Sequence, residues 1–150
     1  MVQETKITDP AFAAKRWEGY EIKSAASGSA HCGGVALLAR ESEWARVENT
    51  KIVGTNVLSF ELVLNEEERF FAVGCYLAPS DKAGEAQRLV VQALRDKPAG
   101  TMPLVIGDLN SNLNAPRSRK EEVLAQDVVE LGLGCALRHF QVRRGRHLRG

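Results

Sequence analysis

The chain has 150 residues, 44% hydrophobic and 26% charged, with a formal net charge of +1; this is the composition of one ordinary globular domain and excludes the disordered and fibrous classes. No run approaches the roughly 18 apolar residues of a membrane helix, and the VQETKITD start is no secretory signal, so a soluble intracellular protein with no membrane partner is expected. The charge is unevenly spread: five of the 20 lysines and arginines fall in residues 137–150, which hold no acid, leaving 15 basic against 19 acidic residues in the first 136.

In chain order, TDPAFAAKRWEGY offers Asp9 as a cap, Pro10 for the first turn and Gly19 as a stop, which predicts a short helix over 10–18. CGGVALLAR is an apolar run of strand length. In NVLSFELVLN, Leu58, Phe60, Leu62 and Leu64 alternate with Ser59, Glu61 and Val63, predicting a strand with one strongly buried face. NEEE then turns the chain into RFFAVGCYLAP, and the short connection makes the pair an antiparallel hairpin. Ala86, Leu89, Val90, Ala93 and Leu94 form the stripe of an amphipathic helix that Pro98 and Gly100 bring to an end. MPLVIG reads as a buried strand, and Leu124, Val128 and Leu131 mark a helix within 119–132. Cys32, Cys75 and Cys135 are far apart and form no C-x-x-C, so buried free thiols are expected.

Antiparallel hairpins mixed with crossover helices argue for an α/β architecture of packed sheets and outer helices. The usual glycine-rich nucleotide fingerprints are missing. The segment LVIGDLNSNLN places Asp108 and Asn110 directly after an apolar strand. If the chain stays extended, both side chains point to one side and converge. A carboxylate beside an amide can take a proton from a water while the amide holds a phosphate oxygen or a metal-bound water. The alternative is an Asx-turn, the conformation that Asp and Asn favour in loops. The arginines of the tail suit nucleic acid phosphates or, equally, a solvated chain end.

Four segments, VQET at 2–5, GGVALLAR at 33–40, FFAVGCYLAPSD at 70–81 and LVIGDLNSNLN at 104–114, stand in the order and approximate spacing of the endonuclease/exonuclease/phosphatase superfamily, which the chain resembles over nearly its whole length. Within it, the chain is most similar to the apurinic-type endonuclease domain of non-LTR retrotransposons, where a segment like GLGCALRHFQVRRGR follows the last helix. The resemblance implies a four-layer α/β sandwich of two packed mixed sheets with outer helices. It implies a magnesium-dependent phosphodiesterase that cuts DNA. Glu4 takes the role of a carboxylate ligand of the cation and Asp108 shares that metal; Asp108 also orients the attacking water. Tyr76 faces the scissile phosphate with its hydroxyl, and Asn110 contacts the phosphate. A reverse transcriptase in the same polyprotein is the implied companion.

The superfamily pattern begins with an asparagine-bearing strand before the Glu4 segment and closes with an Asp-His pair, and neither is found in these residues; His31, His139 and His147 lack the required context. The expectation is a truncated sandwich, with residues 1–136 as part of the domain and 137–150 as the Arg-rich beginning of its remaining C-terminal part. Uncovered sheet edges would then favour self-association. Such a chain would nick DNA poorly by itself, which makes a catalytically inactive remnant that binds nucleic acid or a partner chain the alternative. A phosphatase acting on a small phosphate ester is a third reading, because a shared fold does not fix the substrate.

Overall fold

The computed structural model describes residues 1–3, 5–6, 19–25, 27, 33–40, 42–64, 68–79 and 84–134. In chain order the elements are β1 (Val2–Gln3), β2 (Glu21–Ala25), β3 (Val35–Ala39), β4 (Ala45–Gly54), β5 (Val57–Leu64), β6 (Glu68–Tyr76), α1 (Glu85–Arg95), β7 (Met102–Asp108) and α2 (Arg119–Glu130). They form two sheets. One has three strands in the order β1-β3-β2, antiparallel throughout, and the other has four in the order β4-β5-β6-β7. In the second sheet β4, β5 and β6 run as an antiparallel meander, and β7 joins β6 in parallel after the crossover through α1.

The two sheets pack face to face, as expected of an α/β sandwich. Ala25, Val35 and Leu37 of the three-stranded sheet meet Leu58, Phe60, Ala72 and Tyr76 of the other in one core. On the opposite face of the four-stranded sheet, Val57, Val73 and Cys75 lie under Ala86, Val90, Ala93 and Leu94 of α1 and Leu124 of α2. Helix, sheet and sheet are therefore three layers among the described residues. The helix expected at 10–18 lies outside them, as do Cys32, Cys135 and the tail 137–150.

β5 is the centre of the molecule, and its burial corrects the expectation of one buried face. Leu58 and Phe60 point between the sheets, while Val57, Ser59, Glu61 and Val63 are buried on the other side. α1 lies over that second face at Val57. Glu61 is tolerated there because its carboxylate accepts a hydrogen bond from Asn49 Nδ2 at 2.7 Å and lies 3.4 Å from the Arg69 guanidinium, which meets the requirement that a buried charge be paired.

α1 carries the expected stripe, with Glu85 in its first turn and Arg95 in its last, both favourable to the helix dipole. α2 opens on a capping arrangement: Ser118 Oγ accepts from the Glu121 amide, and the Glu121 carboxylate accepts from the Arg117 amide. Arg95 reaches Asp127 and Glu130 at 3.7 and 3.9 Å, joining the two helices.

β7 is not the buried strand its composition suggested. Met102 is exposed and Pro103 to Ile106 are only half-buried, because β7 is an edge strand in the described sheet. Pro103 fits that place, since a residue without an N–H is best tolerated where no outer partner needs one. Among the described residues, no helix is long and apolar enough to cross a membrane.

Candidate active site

β6 and β7 are parallel neighbours that end together, and the carboxyl ends of such strands are where α/β sheets present ligand-binding groups. Tyr76 and Asp108, the last residues of the two strands, are register partners. Adjacent strands lie about 4.8 Å apart, so the two side chains start side by side. They also share a face: Leu104 and Ile106 pack into the core between the sheets, and Asp108 continues that alternation, while Tyr76 belongs to the same core. Tyr76 is buried, and Asp108 is exposed at the rim.

Local sequence makes the approach possible. Gly107 lies so close to β6 that a Cβ there would strike the carbonyl of Cys75, and only glycine permits that distance. Beyond the strand ends, the Leu77 amide donates to the Asp108 carbonyl at 2.9 Å, so the ladder extends past the site.

Asn110 reaches this end by a different route from the extended one. β7 stops at Asp108, and Asn110 has a φ of 44°, in the left-handed region. Asp108 Oδ1 accepts from the Asn110 amide at 2.9 Å, the bond of an Asx-turn. The turn keeps Asn110 beside Asp108, exposed, while Leu109 packs back toward the helices. A carboxylate has two oxygens and about four lone-pair positions, so one bond to a backbone amide does not exhaust Asp108 as an acceptor. Asn112 caps the next turn, accepting from the amides of Asn114 and Ala115 at 3.2 Å.

Glu4 lies outside the described residues. Its neighbours are fixed: Gln3 pairs with Val35, and the amides of Thr5 and Lys6 donate to the carbonyls of Gly34 and Gly33 at 3.4 and 2.9 Å. Gly34 in turn donates its amide to Asn56 Oδ1, and the Asn56 carbonyl accepts from the Tyr76 amide at 3.0 Å. The N-terminal segment, Gly33, Gly34, Asn56, Tyr76 and Asp108 therefore gather at one end of the sandwich. Thr5 Oγ1 is buried beside Gly34 and has no hydrogen-bond partner. A buried hydroxyl of this kind calls for an acceptor or a water.

Asn56, Thr5, Gly33 and Gly34 are the members of this end that sequence reasoning missed. The signals are local: Thr55-Asn56 directly before the strand-like run at 57–64 reads as a turn, and Gly33-Gly34 as a loop before an apolar run. Neither indicates a long-range partner. Among the described residues no three His, Cys, Asp or Glu side chains gather as a metal-holding group.

No protein-family model matches the chain, and no curated protein sequence is similar to it.

Cys75 is free and buried, one position before Tyr76. Burial, with the Asp108 charge as a lesser cause, pushes its thiol up to about 12. A neutral thiol there is a packing group and no nucleophile.

Proposed function

We propose that this end of the sandwich is the centre of a magnesium-dependent phosphodiesterase that cuts DNA by directing a water at the phosphodiester. The observation that carries the reading is the side-by-side placement of Tyr76 and Asp108 on one face at the ends of parallel strands, with Asn110 held against Asp108. Asp108 orients the attacking water and accepts its proton. Tyr76 presents its hydroxyl to the phosphate, and Asn110 supplies an amide donor to a phosphate oxygen. The donor set suits a hard cation: Asp108 and Glu4 would hold magnesium, which needs only one or two carboxylates and keeps several waters. The orphaned Thr5 hydroxyl, next to Glu4 in sequence, is a polar atom that such a water would satisfy. When bound, the cation stabilises charge on the transferring phosphoryl oxygens. The five arginines of residues 137–150 add sequence-independent phosphate contacts.

A catalytically inactive remnant that binds DNA is the second reading. It is favoured by the Asx-turn bond, which gives Asp108 a structural role of its own.

Nicking of supercoiled DNA by the expressed chain in magnesium, with Asp108→Ala alongside, separates the two. The first reading expects magnesium-dependent nicking that is slow in this chain by itself and falls by at least about 100-fold in the variant, with DNA affinity retained, because the carboxylate acts on the water and not on bound DNA. Salt-dependent binding with no magnesium-dependent nicking supports the second. Nicking that survives Asp108→Ala overturns the placement of the site.

A further inference from the structure

We infer that Asn56 is the positioning residue that locks the two sheets together at the end where Tyr76 and Asp108 meet, an inference that rests on the phosphodiesterase reading of that end. The Gly54–Val57 pair leaves Thr55 and Asn56 as a two-residue hairpin loop, and Asn56 has a φ of 65°. Glycine is the easiest residue in that conformation. Asparagine adds a carboxamide, and this one is used across the sandwich: Oδ1 accepts from the Gly34 amide, at the start of β3 in the opposite sheet. The same residue's carbonyl accepts from the Tyr76 amide at 3.0 Å. Tyr76 is the register partner of Asp108. One residue thus links the three-stranded sheet, through its side chain, to the site strands, through its main chain.

The glycines opposite are shaped for that side chain. A Cβ on Gly33 would sit 2.6 Å from Asn56 Oδ1, and one on Gly34 would collide with Thr5 Oγ1; both have φ near +90°, at +91° and +85°. Because the amides of Thr5 and Lys6 bond to the carbonyls of this glycine pair, Asn56 also sets where the N-terminal segment lies relative to Tyr76. The apolar contacts of Val35 and Leu37 with Leu58 and Phe60 hold the sheets together, so the fold does not depend on one hydrogen bond. Alignment at the site end does, and a misplacement of about 1 Å at a reacting centre costs on the order of 100-fold in rate.

The test uses the full chain and two variants that both suit a left-handed turn. Asn56→Gly removes the acceptor; Asn56→Asp keeps it. In the wild type, a scalar coupling across the hydrogen bond from Gly34 N to Asn56 Cγ is expected, and its absence overturns the inference without any variant. Gly34 amide exchange should be slow in the wild type and in Asn56→Asp, and faster by about tenfold in Asn56→Gly, the loss of one hydrogen bond. Amide shifts of Tyr76 and Asp108 should move only in Asn56→Gly. In magnesium-dependent DNA nicking, Asn56→Gly should lower kcat by about 10- to 100-fold with KM unchanged, and Asn56→Asp should restore it. Equal behaviour of the two variants, or unmoved Tyr76 and Asp108 shifts in Asn56→Gly, overturns the inference. If the wild type does not cut DNA, the phosphodiesterase reading fails, whereas the coupling and exchange results still decide whether Asn56 locks the sheets.

Discussion

Cys75 ties the chemistry of the site strand to the stability of the core. Its thiol is held neutral by burial first and by the Asp108 charge second, up to about 12 against an ordinary 9.0. A group whose folded value is raised contributes stability that is complete below the ordinary value and is lost as pH rises toward the folded one. The chain should therefore lose stability between pH 9.0 and about 12 through this thiol. Urea midpoints of wild type and Cys75→Ala in chelator should converge as pH rises through that window; a constant gap would show that the thiol is not held neutral. Asp108 and Asn110 stand out in the sequence by residue type and position at a strand end, whereas Glu4 and Tyr76 are singled out only by the family resemblance. Asn56 does not stand out, because the hydrogen bond that the Gly34 amide donates to Asn56 Oδ1 joins segments 22 residues apart and leaves no periodic trace.

At the scale of elements, legibility followed burial pattern. α1 was plain, since one face of it packs on the sheet and the other meets solvent, which is what a 3.6-residue stripe records. β5 was plain by its alternation and β6 as an apolar run after a short connection. β2 and β4 were not identified. β4 is an edge strand, ARVENTKIVG, with register breaks at Glu48/Lys51 and Ile52/Gly54, no buried residue and charges of both signs, so no sustained alternation marks it. β7 was recognised but assigned to the interior, although Pro103 already pointed to an edge. α2 depends on its start more than on its packing, with Leu124 as its one buried residue among those described. Ser118→Ala should cost about 1 kcal/mol, the usual worth of an N-cap, read as a lowered urea midpoint with an unchanged slope. A change below a few tenths would mean that the Glu121 carboxylate carries the cap alone.

For the whole molecule, among the described residues, the half-buried β7 is one edge of a sheet whose central strands, β5 and β6, reach deep into the core. An open apolar edge recruits other strands. Sedimentation velocity should show concentration-dependent association, and Met102→Lys, at an exposed position of that edge, should reduce it while leaving the fold intact. Monomeric behaviour at high concentration in the wild type would show that the edge is protected. The overall architecture of two packed sheets with outer helices was readable from the alternation of hairpins and helices. Which strands form the edges was not, because edge position depends on how distant segments pair.

The parallel pairing of β6 with β7 also sets an order of events in folding. The β4-β5-β6 meander closes through connections of two and three residues, whereas β7 can dock only after the chain has travelled through α1, and such non-local pairing must overcome a larger loop entropy before it gains contacts. Tyr76 should therefore be in place before Asp108 arrives beside it. Kinetic φ-values should be high for Leu58→Ala and Val63→Ala in the meander and low for Ile106→Ala in β7, and the reverse pattern would refute the order. On that order the two halves of the proposed site form at different times, and the acid, the group the proposed chemistry depends on most, comes last.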